Sequence, residues 1–490
     1  MTLDPDFDQP ALGGLQRLDR ALDRGQARVF HVLWFMLPSG SVARDPQFQQ
    51  LLASRFLTDI ALQALLYGAL IASVRAGGNA TDAALLGVAY LLPGLVLGMF
   101  GGIVADALPK RVALAGAYVT MGGLTLLIPL FFGTDFRSLL AVLFAVRVLH
   151  QVSQPSEASA VPLVATEDEL ASATSFISLI SSAGEVVGKA LIAPLIVRAF
   201  GVDPVTVVAG LLFIFSASRV FDLRPPRRRA GTTDAEEPEG VQQRVSTLET
   251  IRWLLTDRAQ LWMLLLAALA STISVILGML GPQYTQDVLQ VDAANALYVF
   301  SPAVLGLLVA LVAAPPLIRM FQERVVAVIG FTIVAATMSA LGLVDRLRDW
   351  LPWLPVIDLP LVGERVELAA ELSVFLGFGM TLAATATQTY ISRTAPLAVQ
   401  GRTFALLGTM KDGLAIPSLL VLGVVATAIG VRPVLIFAPL LLLALALAVD
   451  RLAGSLRAPG GEGPAGAAPG GEGPAGAAPG GETQAGAGDG

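Results

Sequence analysis

The chain alternates long apolar runs with short polar stretches from about residue 55 to residue 453. Each run contains about 20 residues, the length that an α-helix needs to cross the hydrocarbon core of a bilayer. Twelve such runs are predicted, and they begin near residues 55, 83, 111, 138, 170, 203, 259, 291, 324, 367, 401 and 431. The pattern therefore predicts an all-α integral membrane protein with twelve transmembrane helices.

The apolar runs fall into two groups of six, residues 55–223 and 259–453, separated by the charged segment 224–258. We expect two six-helix bundles joined by a cytoplasmic linker, because Pro, Gly and blocks of opposite charge cannot build a core. Residues 454–490 repeat APGGEGPAGA, which predicts a disordered tail. Residues 1–54 are predicted to form a cytoplasmic N-terminal segment, whose short apolar stretch VFHVLWFML lies at the membrane interface.

Short similarities relate the two halves of the chain. The sixth run opens with AFGVDPVTVV and the twelfth with AIGVRPVLIF, while PKRVALAG in the first half aligns with QERVVAVIG in the second. The two matches occur in the same order. This order indicates a parallel duplication, which is typical of transporters built from two bundles.

Basic residues are concentrated in the N-terminal segment, in the loop after the second run and in the linker, which contains three consecutive arginines. Lys and Arg near helix ends stay on the cytoplasmic side. Both termini are therefore predicted to be cytoplasmic in a multi-pass protein of the plasma or inner membrane. The N-terminus, MTLDPDFDQP, lacks the features of a cleavable signal peptide, so we expect the first helix to direct insertion.

Composition excludes several other classes of protein. The residues are 54% hydrophobic and 14% charged, against roughly 25% charged in soluble domains. A net charge of −6 argues against nucleic acid as a partner. With no cysteine and two distant histidines, the sequence predicts no metal site, no cofactor and no catalytic residues, hence no enzyme. It also lacks a phosphate-binding Gly-x-x-x-x-Gly-Lys-Ser/Thr motif, so any transport would use an ion gradient.

Three charges and a proline interrupt the apolar sequence between the second and third runs, in GGIVADALPKRVALAG. Gly102 permits close helix contact and Asp106 can pair with a neighbouring bundle. Lys110 and Arg111 hold the loop inside. The stretch resembles the Gly-x-x-x-Asp-x-x-Gly-Arg-Lys signature of the major facilitator superfamily, although Ala107 and Pro109 depart from it. The resemblance implies that these four residues latch one conformational state.

The resemblance covers about residues 50–453. The stretch RFLTDIALQALLYGALIASV is similar to the first helix of efflux-type members. In the second half, LIRMFQER places Arg319 where the signature has its acid, so the charge arrangement is altered. The family implies a fold of two six-helix bundles that expose a central cavity to either face in turn.

The multidrug and macrolide efflux branches of the family imply proton-coupled export of an amphipathic small molecule. We therefore expect the substrate, protons and the lipid bilayer as partners, and a monomeric protein. Two alternatives stay open. One is uptake or lipid transport by the same fold, and the other is a membrane sensor or scaffold that has lost transport.

Ionisable residues inside membrane spans usually face a partner or a wet cavity. Arg147 matches an arginine that the family associates with proton coupling. It is predicted to bind an anionic substrate, to assist a proton relay or to pair with a buried acid such as Asp59 or Glu185. Glu157 is ten residues away, too far along a helix to pair with it. His150 either titrates near neutral pH or packs between helices.

The fifth run contains SSAGEVVGKALIAP, where antiporters of the family carry Gly-Pro-x-x-Gly-Gly. Gly184 and Gly188 match this element and are predicted to pack against a neighbouring helix. Glu185 and Lys189 replace the proline and the last glycine. Their four-residue spacing puts them on one helix face, where they form a local pair or where Glu185 exchanges a proton.

Two further charge pairs lie in other runs. Asp59 follows Arg55 by four residues, a spacing that permits a neutralising pair. Lys411 and Asp412 are adjacent, so their side chains point about 100° apart on a helix. We expect them to have different partners, one of them in the other bundle.

Overall fold

The computed structural model describes residues 45–97, 110–164, 170–221, 258–350, 363–394 and 397–455. The described residues are predominantly α-helical. The predicted interfacial stretch, most of the linker and most of the repeat tail lie outside these ranges. Gly102 and Asp106 also lie outside them.

The N-terminal bundle is formed by seven α-helices and one π-helical turn. They are α1 (Pro46–Arg75), α2 (Ala80–Leu97), α3 (Lys110–Phe132), α4 (Phe136–Val164), α5 (Leu170–Val186), the π-helical turn Val187–Ile192, α6 (Ala193–Phe200) and α7 (Asp203–Phe221). Because α5, the π-helical turn and α6 follow one another without an intervening loop, they form one span.

The C-terminal bundle is formed by seven further α-helices and a 3₁₀ turn. They are α8 (Arg258–Asp287), the 3₁₀ turn Ala293–Asn295, α9 (Ala296–Phe300), α10 (Ala303–Gly342), α11 (Val344–Trp350), α12 (Glu364–Thr394), α13 (Leu397–Ile429) and α14 (Val431–Ser455). Helix α10 breaks at Gln322, whose φ of 67° and ψ of 155° are not helical. The break divides α10 into two spans.

Ten segments of the described chain are long and apolar enough to cross a membrane. One of them, Ala293–Gly342, contains the break at Gln322 and counts as two spans. Helix α14 adds the shorter apolar stretch Val431–Leu445. The prediction of an all-α fold with twelve membrane helices in two bundles is therefore confirmed.

Helix α1 begins at Pro46, earlier than the predicted start near residue 55. The reason is local: the Asp45 carboxylate accepts hydrogen bonds from the backbone N–H groups of Gln47 (2.7 Å) and Phe48 (3.3 Å). Pro46 occupies the first turn, where its missing N–H costs nothing. The polar residues after Pro46 therefore belong to the helix.

Each bundle packs around a few central helices. In the N-terminal bundle α1 contacts α5 and α7, and α3 contacts α4 and α7. In the C-terminal bundle α10 contacts α12 and α14, while α8 contacts α12, α13 and α14. The bundles meet where α2 packs on α13 and where α8 packs on α1 and α2. These four helices, α1, α2, α8 and α13, therefore dominate the interface between the bundles.

Large apolar side chains on the outside of the bundles are strongly exposed. The most exposed include Leu130, Phe131, Phe132, Phe200 and Val312, each between 73% and 79%. In water such a surface would be unfavourable, whereas lipid tails solvate it. The exposed apolar surface therefore fits a protein embedded in a bilayer.

Candidate functional site

A cavity of about 210 Å³ lies between the two bundles, and we call it the central cavity. The N-terminal bundle contributes Tyr67 of α1 and Lys189 of the π-helical turn. The C-terminal bundle contributes mainly apolar side chains, including Leu277, Phe300 and Leu376. Because both bundles form its walls, any relative movement of the bundles changes the shape of this cavity.

A second cavity of about 120 Å³ lies within the C-terminal bundle, and we call it the side cavity. Helices α8, α10, α12 and α13 form its walls. Its polar lining includes Ser271, Gln388 and Lys411. Ser274 and Met380 line both cavities, so the two spaces adjoin.

The glycines of α5 and the π-helical turn allow this span to approach α1 closely. A side chain at Gly184 would lie 2.9 Å from Cβ of Asp59, and one at Gly188 would lie 2.6 Å from the carbonyl oxygen of Ile60. A larger residue would therefore push the two helices apart. π-helical turns are rare and are frequently found at functional sites. This turn places Lys189 in the wall of the central cavity.

Lys189 forms an ion pair with Glu185, with Nζ 2.6 Å from Oε1. The two side chains are 37% and 49% exposed, so the pair faces open space rather than the packed core. The structure thus shows the local pair that the four-residue spacing permits. Whether Glu185 also exchanges a proton stays a prediction.

Arg55 is the centre of a buried charge cluster that joins α1, α4 and α5. Its Nε donates to Oδ2 of Asp59 (2.9 Å) and to Oγ of Ser181 (2.8 Å). Its Nη1 donates to Oε2 of Glu157 (2.5 Å). Asp59 and Glu157 are both buried. We call Arg55, Asp59 and Glu157 the Arg55 cluster; it holds two carboxylates and one guanidinium.

Arg147 does not pair with either acid that we considered for it. Asp59 pairs with Arg55, and Glu185 pairs with Lys189. Instead, Nε of Arg147 donates to the carbonyl oxygen of Tyr90 (2.9 Å). The guanidinium also lies over the Tyr90 ring, 4.2 Å from its centroid, a cation–π geometry. The prediction of an ion pair with Asp59 or Glu185 is wrong, because each acid has a nearer cation on its own helix or on the π-helical turn that continues it.

Tyr90 of α2 lies among charged residues from both bundles. Its hydroxyl accepts a hydrogen bond from the Gln63 amide (3.2 Å). The charges of Arg147, Glu185 and Asp412 all act on it. Sequence reasoning missed Tyr90, because the sequence shows only a tyrosine within an apolar span.

Lys411 and Asp412 point to different places, as their adjacent positions on α13 predict. Lys411 lines the side cavity of the C-terminal bundle. Oδ2 of Asp412 lies 2.7 Å from the position that a Cβ would occupy on Gly94 of α2, in the other bundle. Neither residue forms an ion pair within the part of the chain that the structure describes. Asp412 is thus the residue that reaches across the interface, towards Arg147.

His150 lies in the interior of the N-terminal bundle with 1% of its surface exposed. Its Nε2 lies 3.3 Å from Nε2 of Gln154, one helical turn away. Its Nδ1 has no hydrogen-bond partner. The surroundings therefore favour a packing role over proton exchange with water.

The loop signature lies mostly outside the described residues. Lys110 and Arg111 open α3, and no contact of their side chains is described. In the second half, Arg319 is exposed and Glu323 pairs with Arg393 at the end of α12 (2.5 Å). That pair lies within one bundle, so it does not connect the two halves.

At the end of the molecule where α1 and α2 are joined, an ion pair links the bundles. Nη2 of Arg75 lies 2.8 Å from Oδ1 of Asp292. Partial burial alone would raise the pKa of Asp292, but hydrogen bonds from Arg75 and from the Ala294 backbone outweigh it and lower that pKa. Asp292 is therefore ionised at neutral pH, which maintains the pair.

Two more polar contacts join the bundles at the same end. The guanidinium of Arg198 donates to the hydroxyl of Tyr298 (2.9 Å). The hydroxyls of Thr81 and Thr427 are 2.8 Å apart. We call these two contacts and the Arg75–Asp292 pair the loop-end contacts. Together they close the interface between the bundles at this end.

Metal-binding potential is low in the regions described. There, no three His, Asp or Glu side chains are grouped so that they could hold a metal ion. The ionisable residues instead form pairs or contact aromatic rings.

Two helical bundles around a shared cavity, with apolar outer surfaces, define a multi-pass membrane protein of the two-bundle transporter class. The sequence profile of the Major Facilitator Superfamily matches residues 32–418. The chain therefore belongs to that superfamily. No curated protein sequence is significantly similar to it.

Solved transporter structures share this fold. The nucleoside transporter NupG is 13% identical, with a TM-score of 0.62 over 83% of this chain and 99% of that one. A bacterial homologue of the human lysosomal transporter Spinster, solved in an inward-facing and unoccupied conformation, is 14% identical. Its TM-score is 0.65 over 84% of this chain and 96% of that one. At such low identities the similarity establishes the fold alone.

Proposed function

We propose that this protein is a secondary transporter that works by alternating access and exports an amphipathic small molecule in exchange for protons. The observation that carries the proposal is the central cavity, whose walls come from both bundles. A site at the bundle interface opens to one face or the other when the bundles rock. We further propose that the protein acts as a monomer in the cell membrane, with both termini in the cytoplasm.

The apolar lining of the central cavity supports an amphipathic substrate. Leu277, Phe300 and Leu376 offer apolar contacts, while Tyr67 and Lys189 offer polar ones. Small-molecule sites typically combine an apolar lining with a few polar groups that fix orientation. A space of about 210 Å³ also favours transport over the sensor or scaffold alternative, which does not require a cavity between the bundles.

We propose that the loop-end contacts limit access to the central cavity to one face of the membrane at a time. In the proposed orientation, the end that joins α1 to α2 faces outward, so the loop-end contacts close the cavity from outside. Opening to the outside requires the Arg75–Asp292 pair and the Arg198–Tyr298 and Thr81–Thr427 contacts to separate. On the cytoplasmic side we propose that Asp106 and its neighbours act as the latch that the family resemblance implies.

The Arg55 cluster is the proton-exchange site that we propose. Its two carboxylates and one guanidinium leave one excess negative charge when both acids are ionised. Binding one proton neutralises the cluster, which the low dielectric of a membrane protein favours. Asp59 also lies close to Gly184 of α5, where an added Cβ would be 2.9 Å from Cβ of Asp59, next to Glu185 and two turns before α6. Protonation can therefore change how the fifth span packs beside the central cavity.

Arg147 and Asp412 provide a second electrostatic attraction between the bundles. Asp412 comes from α13 and lies against α2, while Arg147 holds Tyr90 of the same helix. Their opposite charges attract across the interface. We propose that this attraction favours the state in which α2 and α13 are together, and that substrate or proton binding offsets it.

Neutralising one acid of the Arg55 cluster is expected to uncouple transport. In liposomes with an imposed pH gradient, Asp59→Asn and Glu157→Gln should each lower gradient-driven accumulation of an amphipathic dye by about tenfold or more, the change that corresponds to 1.4 kcal/mol. Exchange of dye across the membrane without a gradient should persist, because the central cavity is unchanged. Both fluxes are measured on the same preparations.

Asp45→Asn is the matched control for Asp59→Asn. It makes the same substitution at the N-cap of α1, where asparagine preserves the helix cap. Accumulation by this variant should equal that of the unmodified protein. If Asp59→Asn and Glu157→Gln also accumulate dye normally, the Arg55 cluster does not exchange the coupling proton.

Loss of the Arg75–Asp292 pair is expected to open the outer face more often. The chain has no cysteine, so Gly278→Cys provides a single reporter; Gly278 lines the central cavity and has no atom within 4 Å of an added Cβ. Arg75→Gln should raise its labelling by an impermeant maleimide up to about fivefold. The limit is about fivefold because a partly exposed ion pair stabilises the closed state by at most about 1 kcal/mol.

Arg137→Gln serves as the control for Arg75→Gln. Arg137 is exposed beside the loop that joins α3 and α4, at the same end of the molecule, and takes no part in the loop-end contacts. Its substitution should leave labelling unchanged. Equal labelling in Arg75→Gln and Arg137→Gln would show that the ion pair does not hold the outer face closed.

A further inference from the structure

Lys411 is a cation inside a membrane span whose ammonium group has no ion-pair partner among the described residues. It lines the side cavity, and it forms no hydrogen bond or ion pair with the residues that the structure describes. The charge of the adjacent Asp412 acts on Lys411, but its carboxylate points at Gly94 of α2 and forms no ion pair with Lys411. Charged side chains are retained in membranes where a partner or a wet cavity compensates for lost hydration. A partner for Lys411 can therefore come from a bound molecule.

Two further hydrogen-bond donors line the same cavity and have no acceptor among the described residues. The Ser271 hydroxyl and the Gln388 amide line the side cavity, and neither donates to any described residue. By contrast, the hydroxyl of Thr387 already donates to the carbonyl oxygen of Ala383 (2.8 Å). With Lys411, the side cavity thus presents three free donors. Carboxylates and other oxyanions are the groups that such a set of donors binds.

The charges around the two cavities select an anion over a cation. Lys411 is the one charged residue in the described lining of the side cavity. Lys189 is the one charged residue in the described lining of the central cavity, and its ion pair with Glu185 neutralises its charge. No carboxylate belongs to either of these linings. Behind the lining, the carboxylate of Asp412 is opposed by the charges of both Arg147 and Lys411. Cations therefore outnumber carboxylates around the combined space, which favours an anion over a cation.

The positive side cavity adjoins an apolar space. Ser274 and Met380 line both cavities. The methionine side chain is unbranched and flexible, so it can move aside and join the two spaces. Their volumes of about 210 Å³ and 120 Å³ together reach the lower end of the roughly 300–1,000 Å³ typical of small-molecule sites.

We infer that the two cavities form one site for a single-chain amphipathic anion. Its acidic head binds Lys411, Ser271 and Gln388 in the side cavity. Its apolar chain passes Met380, which lines both cavities, and lies in the central cavity against Leu277 and Phe300. This inference rests on the proposed function, and it adds the sign of the substrate charge.

Binding to three probes that share one alkyl chain tests the inference. The purified protein is placed in nanodiscs of neutral phosphatidylcholine, so that the bilayer supplies no acidic headgroup. Dodecanoate, dodecanol and dodecyltrimethylammonium then compete with a dansyl-labelled undecanoate, and empty nanodiscs give the blank. Dodecanoate should displace the label at about tenfold lower concentration than the ammonium probe, as expected of a hydrogen-bonded charge pair in a desolvated site.

Variants of Lys411 test whether this one side chain causes the preference for dodecanoate over the ammonium probe. Lys411→Gln should remove the preference for dodecanoate, whereas Lys411→Arg should keep it. Arg319→Gln removes an exposed cation of the same bundle outside both cavities and should behave as the unmodified protein. Unchanged dodecanoate binding in Lys411→Gln, or a preference of the unmodified protein for the ammonium probe, would overturn the inference.

Flux measurements separate this inference from the proposed function. Lys411-dependent binding of dodecanoate without movement of any probe across liposomes would leave the site standing and overturn the transport proposal. Gradient-driven flux of the ammonium probe, at a rate unaffected by Lys411→Gln, would support transport and overturn the anion site.

Discussion

Replacing Arg55 with alanine is expected to destabilise the N-terminal bundle by about 3–5 kcal/mol, the range for removing one partner of a buried ion pair. The substitution leaves Asp59 and Glu157 buried without their cation. It also removes the hydrogen bond from Arg55 to Ser181 of α5. Thermal unfolding of the detergent-purified protein, followed by the loss of helical circular dichroism, measures the effect.

A triple variant distinguishes the charge effect from the loss of packing. Adding Asp59→Asn and Glu157→Gln to Arg55→Ala removes all three charges, so most of the lost stability should return. If the triple variant is as unstable as Arg55→Ala alone, the guanidinium stabilises the bundle through contacts other than its two ion pairs. If Arg55→Ala unfolds at the normal temperature, the cluster contributes little to stability.

Gly306→Ala is expected to disrupt the packing of α10 on α12. A methyl group at Gly306 would lie 1.8 Å from the carbonyl oxygen of Val374 and 2.7 Å from the backbone nitrogen of Phe378. Backbone atoms cannot move aside as a flexible side chain can, so the helices must separate. We expect a loss of about 3 kcal/mol or more, at or above the upper end for overpacked cores. The same unfolding measurement detects it.

Gly408→Ala is the control for this glycine substitution. Gly408 lies on α13, and an added Cβ there would meet no atom within 4 Å. Because alanine favours helix over glycine, Gly408→Ala should be neutral or more stable by roughly 0.5–1 kcal/mol. An unfolding temperature for Gly306→Ala equal to that of Gly408→Ala would show that α10 and α12 are not in close backbone contact.

The sequence predicts the helices well because membrane spans require long apolar runs. It also predicts contacts within one helix, since residues four apart share a face. Arg55 and Asp59 are such a pair, and Glu185 and Lys189 form another across the join of α5 and the π-helical turn. The start of α1 differs from the prediction, because a capping aspartate and a proline extend the helix into polar residues.

Contacts between helices could not be predicted in the same way. Glu157 pairs with Arg55 across 102 positions of sequence, and no local pattern relates the two. Tyr90 contacts Arg147 and lies near the charges of Glu185 and Asp412, which all belong to other helices. Periodicity shows which residues share a helix face, but it does not show which faces meet. Arg147 was therefore given the wrong partners, while Ser271 and Gln388 of the side cavity gave no signal in the sequence.

The π-helical turn sets the rotational phase of α6 relative to α5. An α-helix advances by about 100° per residue, and a π-helical turn takes up one residue more than an α-helical turn. If all residues of Val187–Ile192 were α-helical instead, the extra residue would rotate α6 by about that angle relative to α5. Gly188 would keep its contact with α1, whereas Arg198 would turn away from Tyr298. The π-helical turn thus allows Gly188 to pack against α1 while Arg198 contacts Tyr298 in the other bundle.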